Sequence, residues 1–413
     1  MNTRIDTSEK PKLTLTKKNG KVEPTMANII SILQADPEWT GVIAYDSFAG
    51  RVVALEETPM RDQDRPNSTT VGQWTEAHTA RARAWLAGRY GCEPGKENTD
   101  GAVEIVAHSN SFHPVHQYLD SIEWDGIPRL DGMLVRYFGV APGPYASCVG
   151  SKFMIQAVAR VAEPGCQADT MLILEGAQGS GKSSAVRVMA GEWFADTALD
   201  FDSKDAAQCL LGKWIYEFGE LASFNRSEVA RIKAFVSSPS DNLRPSYGRR
   251  NVDWPRQCVF IGTTNDEKYL TDTTGNRRFW PVRCGKIDLK ALARDRDQLW
   301  AEAAKRWARK ERWWMNKEEE RLAVEQQSKR EAVDPWQASI STWIAKTGKD
   351  GLPHTRFTVG DVLNNALCLG AKDQTPAAAQ RVGRLLSRLG YKPRTSKIGK
   401  VYGPNVYVLK SDV

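Results

Sequence analysis

The sequence has no apolar run approaching the roughly 20 residues that cross a bilayer. Its opening stretch, MNTRIDTSEKPKLTLTKKNGK, also lacks the apolar centre of a secretory leader. Both absences point to a cytoplasmic protein with no membrane role. The seven cysteines, Cys92, Cys148, Cys166, Cys209, Cys258, Cys284 and Cys368, stand singly with no C-x-x-C pair. That pattern argues against a zinc ribbon and against a disulfide framework, and it fits small buried apolar side chains. Five histidines are too few and too dispersed for a metal cage. His113 and His116 of FHPVH have no ligand cluster beside them. Internal repeats and low-complexity tracts are missing too.

What is present is ordinary in bulk: 413 residues, 41% hydrophobic and 26% charged. That length allows two or three domains, one with a large core. The net charge of +7 permits an anionic partner, and where the positive residues sit decides whether there is one.

Four regions are expected along the chain. Residues 1–25 are lysine-rich with few large apolar groups and read as a flexible tail. Residues 26–112 mix helix and strand: MANIISILQ has helical spacing, GVIAYDSFAGRVVAL reads strand–turn–strand, and VGQWTEAHTARARAWLAGRYG is a helix closed by glycine. Residues 113–333 hold a helical lead-in, then an α/β core from about Asp169 to Val282, then a helical extension. In the core the apolar strands MLILEG, WIYEFG, CVFIGTTN and RFWPV alternate with helical stretches. Asp334-Pro335 opens a small basic domain over 334–413.

The core carries the most specific signal. Gly176-Ala177-Gln178-Gly179-Ser180-Gly181-Lys182-Ser183 matches G-x-x-x-x-G-K-[ST] throughout, with an apolar strand before it and a helix-forming run after it. Glycines let the backbone wrap round phosphate oxygens, and the N-terminus of the following helix adds attraction. Lys182 is expected to reach the β and γ phosphates of ATP, Ser183 to ligate Mg2+, and Ser184 to complete the loop.

Hydrolysis needs a carboxylate for the metal and another to orient the attacking water. GKWIYEFGEL supplies Glu217 and Glu220 after an apolar strand. Glu217 is favoured for the metal and Glu220 for the water, though either residue fits either role. Asn265, at the polar end of CVFIGTTND, is the candidate sensor of the γ-phosphate, and Arg277 or Arg278 of GNRRFWPV is the candidate arginine finger, supplied by a neighbouring subunit.

In their fixed order HPVHQYLDSIEWDG, ARVAEPG, LEGAQGSGKSS, GKWIYEFGEL, LRPSYGRR, RQCVFIGTTND and TGNRRFWPV resemble the virulence-associated protein E family, ATPases of phages and genomic islands similar to superfamily 3 helicases. The likeness spans roughly His113 to Trp336. It implies an AAA+-like P-loop core, a hexameric ring, and single-stranded DNA threaded through a central pore. It also implies that Lys182 and Ser183 bind nucleotide, that Glu217 and Glu220 are the acids, Asn265 the sensor, and Arg277 or Arg278 the finger. One departure is that Phe218 and Gly219 separate the two acids, which stand side by side in the usual helicase pattern. Relatives that carry a primase domain have more sequence before the core, and primase activity is not expected here.

Two regions suit DNA. SPSDNLRPSYGRRNVDWPRQ reads as a hairpin-like insertion in which Arg244, Arg249, Arg250 and Arg256 can contact phosphates and Tyr247 offers a face to a base. Lys233, in the preceding helix, could face nucleotide or a neighbour. The C-terminal region reads as a winged helix, with WQASISTWIAK, TVGDVLNNAL and PAAAQRVGRLLSRLG as helices and YKPRTSKIGKVYGPNVYVLK as a two-strand wing. Arg381, Arg384 and Arg388 recur on one helix face, and with Lys392, Arg394, Lys397 and Lys400 form a basic patch fit for duplex origin DNA. The expected function is an ATP-dependent DNA helicase or translocase in replication of a phage or mobile element. The alternative is an ATP-dependent initiator or loader that does not unwind. A small-molecule kinase fits less well, because no lid for an acceptor is evident.

Overall fold

The computed structural model describes residues 13–59, 71–201, 203, 206–221, 226–243, 251–270, 275–331, 334–346, 356–398 and 401–409. The chain divides into two units, Met1–Arg330 and Glu331–Val413.

The centre of the first unit is a five-stranded parallel sheet made of β1 (Met171–Glu175), β2 (Phe194–Ala195), β3 (Ile215–Phe218), β4 (Val259–Thr264) and β5 (Phe279–Arg283). Its spatial order is β5-β1-β4-β3-β2. Every residue of β1 and β4 is buried, as expected when helices cover both faces of a parallel sheet. Alternation splits the side chains between two cores. Leu172 and Leu174 join Ile215, Ile261 and Trp280 beneath the helices Pro144–Ala162, Lys182–Ala190 and Leu289–Ala308. Met171 and Ile173 join Tyr216, Phe218 and Phe260 against the helix Arg226–Val236. The sequence is thus read correctly as α/β, and β2, only two residues long, is the strand it does not announce.

Before the core, a four-stranded sheet runs in the order Gly72–Gln73, Arg51–Ala54, Ile43–Asp46, Ser111–Phe112. The helices Met26–Ala35, Glu76–Tyr90 and Lys96–Ser109 share a core with it around Trp39, Trp74 and Trp85. The flexible-tail expectation for 1–25 needs correction from Leu13 onward. Leu13, Leu15 and Val22 pack on this core. The Asn28 side chain accepts from Thr16 N at 3.0 Å and donates to the Thr16 and Glu23 carbonyls at 2.9 Å each. Three apolar side chains and one amide outweigh the lysine-rich composition of this segment.

The expected insertion after the acids has a two-stranded antiparallel base, Ser240–Leu243 against Val252–Pro255. Its Trp254 lies against Gly50, where φ is +65° and an added Cβ would come within 2.9 Å of the indole. Arg244, Tyr247, Arg249 and Arg250 lie outside the described residues.

In the second unit, the helices Pro335–Ala345 and Pro376–Arg388, with a helical stretch over 359–366, pack around Ile340, Val382, Leu386 and Tyr407. A three-stranded antiparallel sheet accompanies them, with Val401–Leu409 between Phe357–Thr358 and Tyr391–Ile398. The two-strand wing region of the sequence therefore gains a third strand. Among the described residues no helix is long and apolar enough to cross a membrane.

Candidate functional site

The loop 176–183 joins the carboxyl end of β1 to the helix Lys182–Ala190. Gly181 sits at the helix N-cap with φ +90°, a left-handed conformation that glycine adopts without strain. No side chain caps this helix, and its first turn holds no acidic residue. The amino end therefore keeps its partial positive charge for an anion. Ala177, Gln178, Gly179, Ser183 and Ser184 are exposed, whereas Lys182 is buried. The Lys182 ammonium folds back over the loop and donates to the Gly176 and Ala177 carbonyls at 2.8 Å each.

Beside the loop stands the carboxylate of Glu217, on β3 and 3% exposed. Its Oε1 accepts from the Ser183 hydroxyl at 2.6 Å and from the Thr263 hydroxyl at 2.7 Å. Its Oε2 is buried without a hydrogen-bond partner among the described residues. A hydroxyl has one proton and two lone pairs, so Ser183 gives its proton to Glu217 and keeps lone pairs for a cation. An orphaned anionic oxygen and a hydroxyl in one place form a donor set suited to a hard divalent ion such as Mg2+.

Glu220 follows two residues after β3, is exposed, and has φ +51°, a left-handed conformation that costs a non-glycine residue energy. Asn265, also exposed, follows β4 directly. Since β3 and β4 are neighbours, Glu220 and Asn265 stand at the same carboxyl edge as the loop. The sheet thus separates the two acids: Glu217 points from the strand into a buried position, while Glu220 lies past its end. The loop is tied to β4 by Gly176 N donating to the Thr264 carbonyl at 3.1 Å. Cys284, whose backbone N donates to the Glu175 carbonyl at 2.8 Å, has its thiol pushed up to about 12 by burial and stays protonated beside the loop.

Arg277 and Arg278 occupy the turn before β5, whose Phe279 pairs with Met171 at the start of β1. They stand at the amino edge of the sheet, about 13 Å from the loop edge by the rise of four strand residues. Arg277 is 73% exposed, with Asp169 at 3.9 Å. Arg278 donates to the Ser237 hydroxyl at 2.5 Å.

Two basic residues of the sequence reading have other employment. Lys233 is buried and donates to Asn276 Oδ1 at 2.9 Å, beneath the Phe279 ring, so it faces the protein interior and not a nucleotide. Arg256 is 2% exposed, gives the Nε and Nη2 edge of its guanidinium to the two oxygens of Asp241, and lies over the Phe235 ring. Its work is to hold the insertion's base, because a buried guanidinium needs a carboxylate more than a phosphate in solvent. In the second unit Arg381 donates to both oxygens of Asp334 and covers Trp336, Arg388 pairs with Glu331, and Arg384 is exposed. The Lys397 side chain lies outside the described residues.

Sequence reasoning assigned no role to Glu175, Arg330, Tyr269 or Thr263. Glu175 accepts from Arg330 and from the Tyr269 hydroxyl, the latter at 2.8 Å. Burial and the Glu175 charge hold the Tyr269 hydroxyl well above its ordinary range. The available signal was a lone carboxylate closing the otherwise apolar run MLILE.

Among known proteins, no curated protein matches the chain in sequence. The chain is similar to two solved apo structures of the NrS-1 C-terminal region. One, at 13% identity, covers 91% of this chain and 99% of that chain with a TM-score of 0.48. The other, an A form, is at 12% identity and covers 89% and 95% with a TM-score of 0.46. The family model described as the virulence-associated protein E-like domain matches residues 119–332, more than half of the chain, with the loop, Glu217, Glu220, Asn265, Arg277 and Arg278 inside the match. The chain belongs to the virulence-associated protein E-like family.

Proposed function

We propose that this protein is an ATP-dependent DNA helicase or translocase, acting in replication of a phage or mobile element and hydrolysing ATP between subunits of a ring. The observation that carries the reading is the meeting of Lys182, Ser183 and the half-satisfied Glu217 carboxylate at the loop edge of the sheet. The strand order β5-β1-β4-β3-β2, with the loop strand between β5 and β4, supports an AAA+-like core.

In this reading the loop backbone and the helix N-terminus hold the phosphates, and Lys182 exchanges the loop carbonyls for β- and γ-phosphate oxygens. Ser183 and Glu217 would hold Mg2+, which when bound would supply positive charge against the phosphates. Glu220 takes up the proton of the attacking water, and Asn265 orients that water against the γ-phosphate. Arg277 is the better finger of the arginine pair. It is exposed at the edge opposite its own loop, so it can serve only the loop of a neighbour. A site made of two copies fits a homo-oligomer, with a hexamer expected.

Single-stranded DNA would run through the ring past Arg244, Tyr247, Arg249 and Arg250, which in the sequence fall between the two strands of the base that Arg256 secures. The second unit is read as a winged-helix-like domain for duplex DNA, with Arg384, Lys392, Arg394 and Lys397 as its contacts. Arg381 contributes there by fixing the helix that begins at Pro335.

The test is ATP hydrolysis with and without single-stranded DNA, followed by strand displacement on a forked duplex. DNA-stimulated hydrolysis with displacement is expected. Stimulated hydrolysis without displacement would select the loader, and no hydrolysis in assembled protein with Mg2+ would end the motor reading.

A further inference from the structure

Thr263 lies on β4 and is 5% exposed. In the sheet Ile261 is level with Glu217, which brings the Thr263 side chain to the carboxylate from the neighbouring strand. Its hydroxyl donates to Glu217 Oε1 at 2.7 Å, the same oxygen that Ser183 takes at 2.6 Å. The terminal torsion of a glutamate is soft, so a lone carboxylate could present either oxygen in many orientations. Two hydroxyls arriving on one oxygen, from the loop helix and from β4, remove that freedom. They also leave the asymmetry noted above, with Oε1 doubly satisfied and Oε2 bare and buried. A bare buried anionic oxygen is costly unless a cation meets it.

We propose that Thr263 is a positioning residue for the metal: it clamps Glu217 Oε1 so that Oε2 alone is presented to Mg2+. The proposal rests on the nucleotide-and-metal reading of this same site. Ser183 serves the phosphate loop as well as Glu217, whereas Thr263 holds the carboxylate from a strand that the loop does not carry. Thr263 therefore fixes the acid independently of loop movement. The distinction from a merely structural hydroxyl is that its loss should be felt in Mg2+ dependence and not in nucleotide affinity without metal.

The test compares wild type with Thr263→Val, Thr263→Ala and Thr263→Ser. The readouts are the rise in melting temperature given by ATP across a Mg2+ series, ATP affinity in EDTA, and hydrolysis across the same series. Valine and alanine are expected to raise the Mg2+ needed for half the ATP-dependent rise by about tenfold, the scale of one hydrogen bond to a charged group. ATP affinity in EDTA should stay within about twofold, and serine, which keeps the hydroxyl, should behave as wild type. Using two hydroxyl-free variants guards against one failing to fold. A wild type that responds to Mg2+ while Val or Ala superimposes on it would overturn the assignment of Thr263 alone, as would a serine variant as impaired as valine. A wild type that shows no ATP-dependent rise at any Mg2+ concentration would overturn the nucleotide reading together with it.

Discussion

The Glu175 carboxylate grips one edge of the Arg330 guanidinium with both of its oxygens, Nε lying 2.7 Å from Oε1 and Nη2 2.7 Å from Oε2. Glu175 is the last residue before the phosphate loop, and Arg330 ends the helix Lys317–Arg330 and the first unit. Both side chains are nearly enclosed, at 8% and 11% exposed. Removing one partner strands the other charge, so Arg330→Ala should lower the stability of the first unit by about 3 kcal/mol. The double variant Glu175→Gln with Arg330→Met should recover most of that loss, because Tyr269 can still donate to the amide oxygen. Chemical denaturation of the three proteins checks this. A single variant within experimental error of wild type would remove the pair from the account of loop support.

Lys182→Ala should abolish nucleotide binding while leaving the fold in place, since its ammonium bonds loop carbonyls that can turn to water. At an ATP concentration about a hundredfold above Kd, wild type gains about 2.7 kcal/mol of stability from the ligand. The variant should gain none. Thermal denaturation with and without ATP decides it, and equal stabilisation of the two proteins would refute the lysine's assigned contact.

Much of this was legible in the sequence, for reasons that are local. The loop is announced because close backbone approach to phosphate demands glycine at fixed spacing and a lysine just inside the helix. Strands β1, β3 and β4 are announced because strands covered on both faces are uninterrupted apolar runs. Pairing across distance was not legible. Arg256 sits in a basic, turn-rich stretch and reads as a DNA contact, yet Asp241, on the partner strand of its own hairpin, claims it. Lys233 looks like a free cation on an amphipathic helix until Asn276 and Phe279 close over it. Thr263 reads as the polar end of a strand, and only the register of β4 on β3 shows that it meets Glu217. The helix Lys96–Ser109 was hidden by Gly101, whose missing side chain leaves room for Met26.

Arg277 offers a test of assembly. Its edge of the sheet is opposite the loop it would serve in its own copy, so Arg277→Ala should lose turnover while binding ATP as well as wild type does. Mixed with Lys182→Ala protein, it should regain turnover, because some interfaces then pair an intact loop with an intact arginine. Steady-state hydrolysis of the mixture against each protein alone is the measurement. A mixture no better than the sum of its parts would place Arg277 outside the reaction.

Acid should loosen the helix Leu289–Ala308 through Asp295. Hydrogen bonds from Arg294, outweighing burial and aided by the Tyr137 hydroxyl at 2.8 Å, hold its carboxyl down at about 2. A carboxyl depressed in the folded state binds its proton more readily when unfolded. Its contribution is therefore complete above the ordinary aspartate value near 4 and is lost as the pH falls from there toward about 2. Asp295→Asn should melt below wild type at neutral pH, and the gap should close across that window. Parallel melting curves at a series of pH values are the check, and a gap that stays constant from neutral pH down to the bottom of the window would show that the carboxylate's charge is not what stabilises the helix.

The insertion separates two kinds of arginine that sequence alone treats as one. Arg256 is enclosed and paired with Asp241, so Arg256→Ala should destabilise the first unit by about 3 kcal/mol and lower DNA binding only as far as the hairpin base is lost. Arg250, proposed for the backbone of a single strand, should behave in the opposite way. Arg250→Ala should leave the denaturation midpoint unchanged, weaken single-strand binding, and flatten the dependence of log affinity on log salt by about 0.7, the share of one phosphate contact. It should also reduce the stimulation of hydrolysis by DNA while basal hydrolysis persists, because Arg250 is not among the residues assigned to the nucleotide. The two variants titrated side by side at several salt concentrations give the answer. If Arg250→Ala bound single strands with wild-type affinity and salt slope, the insertion would not be the path of the DNA.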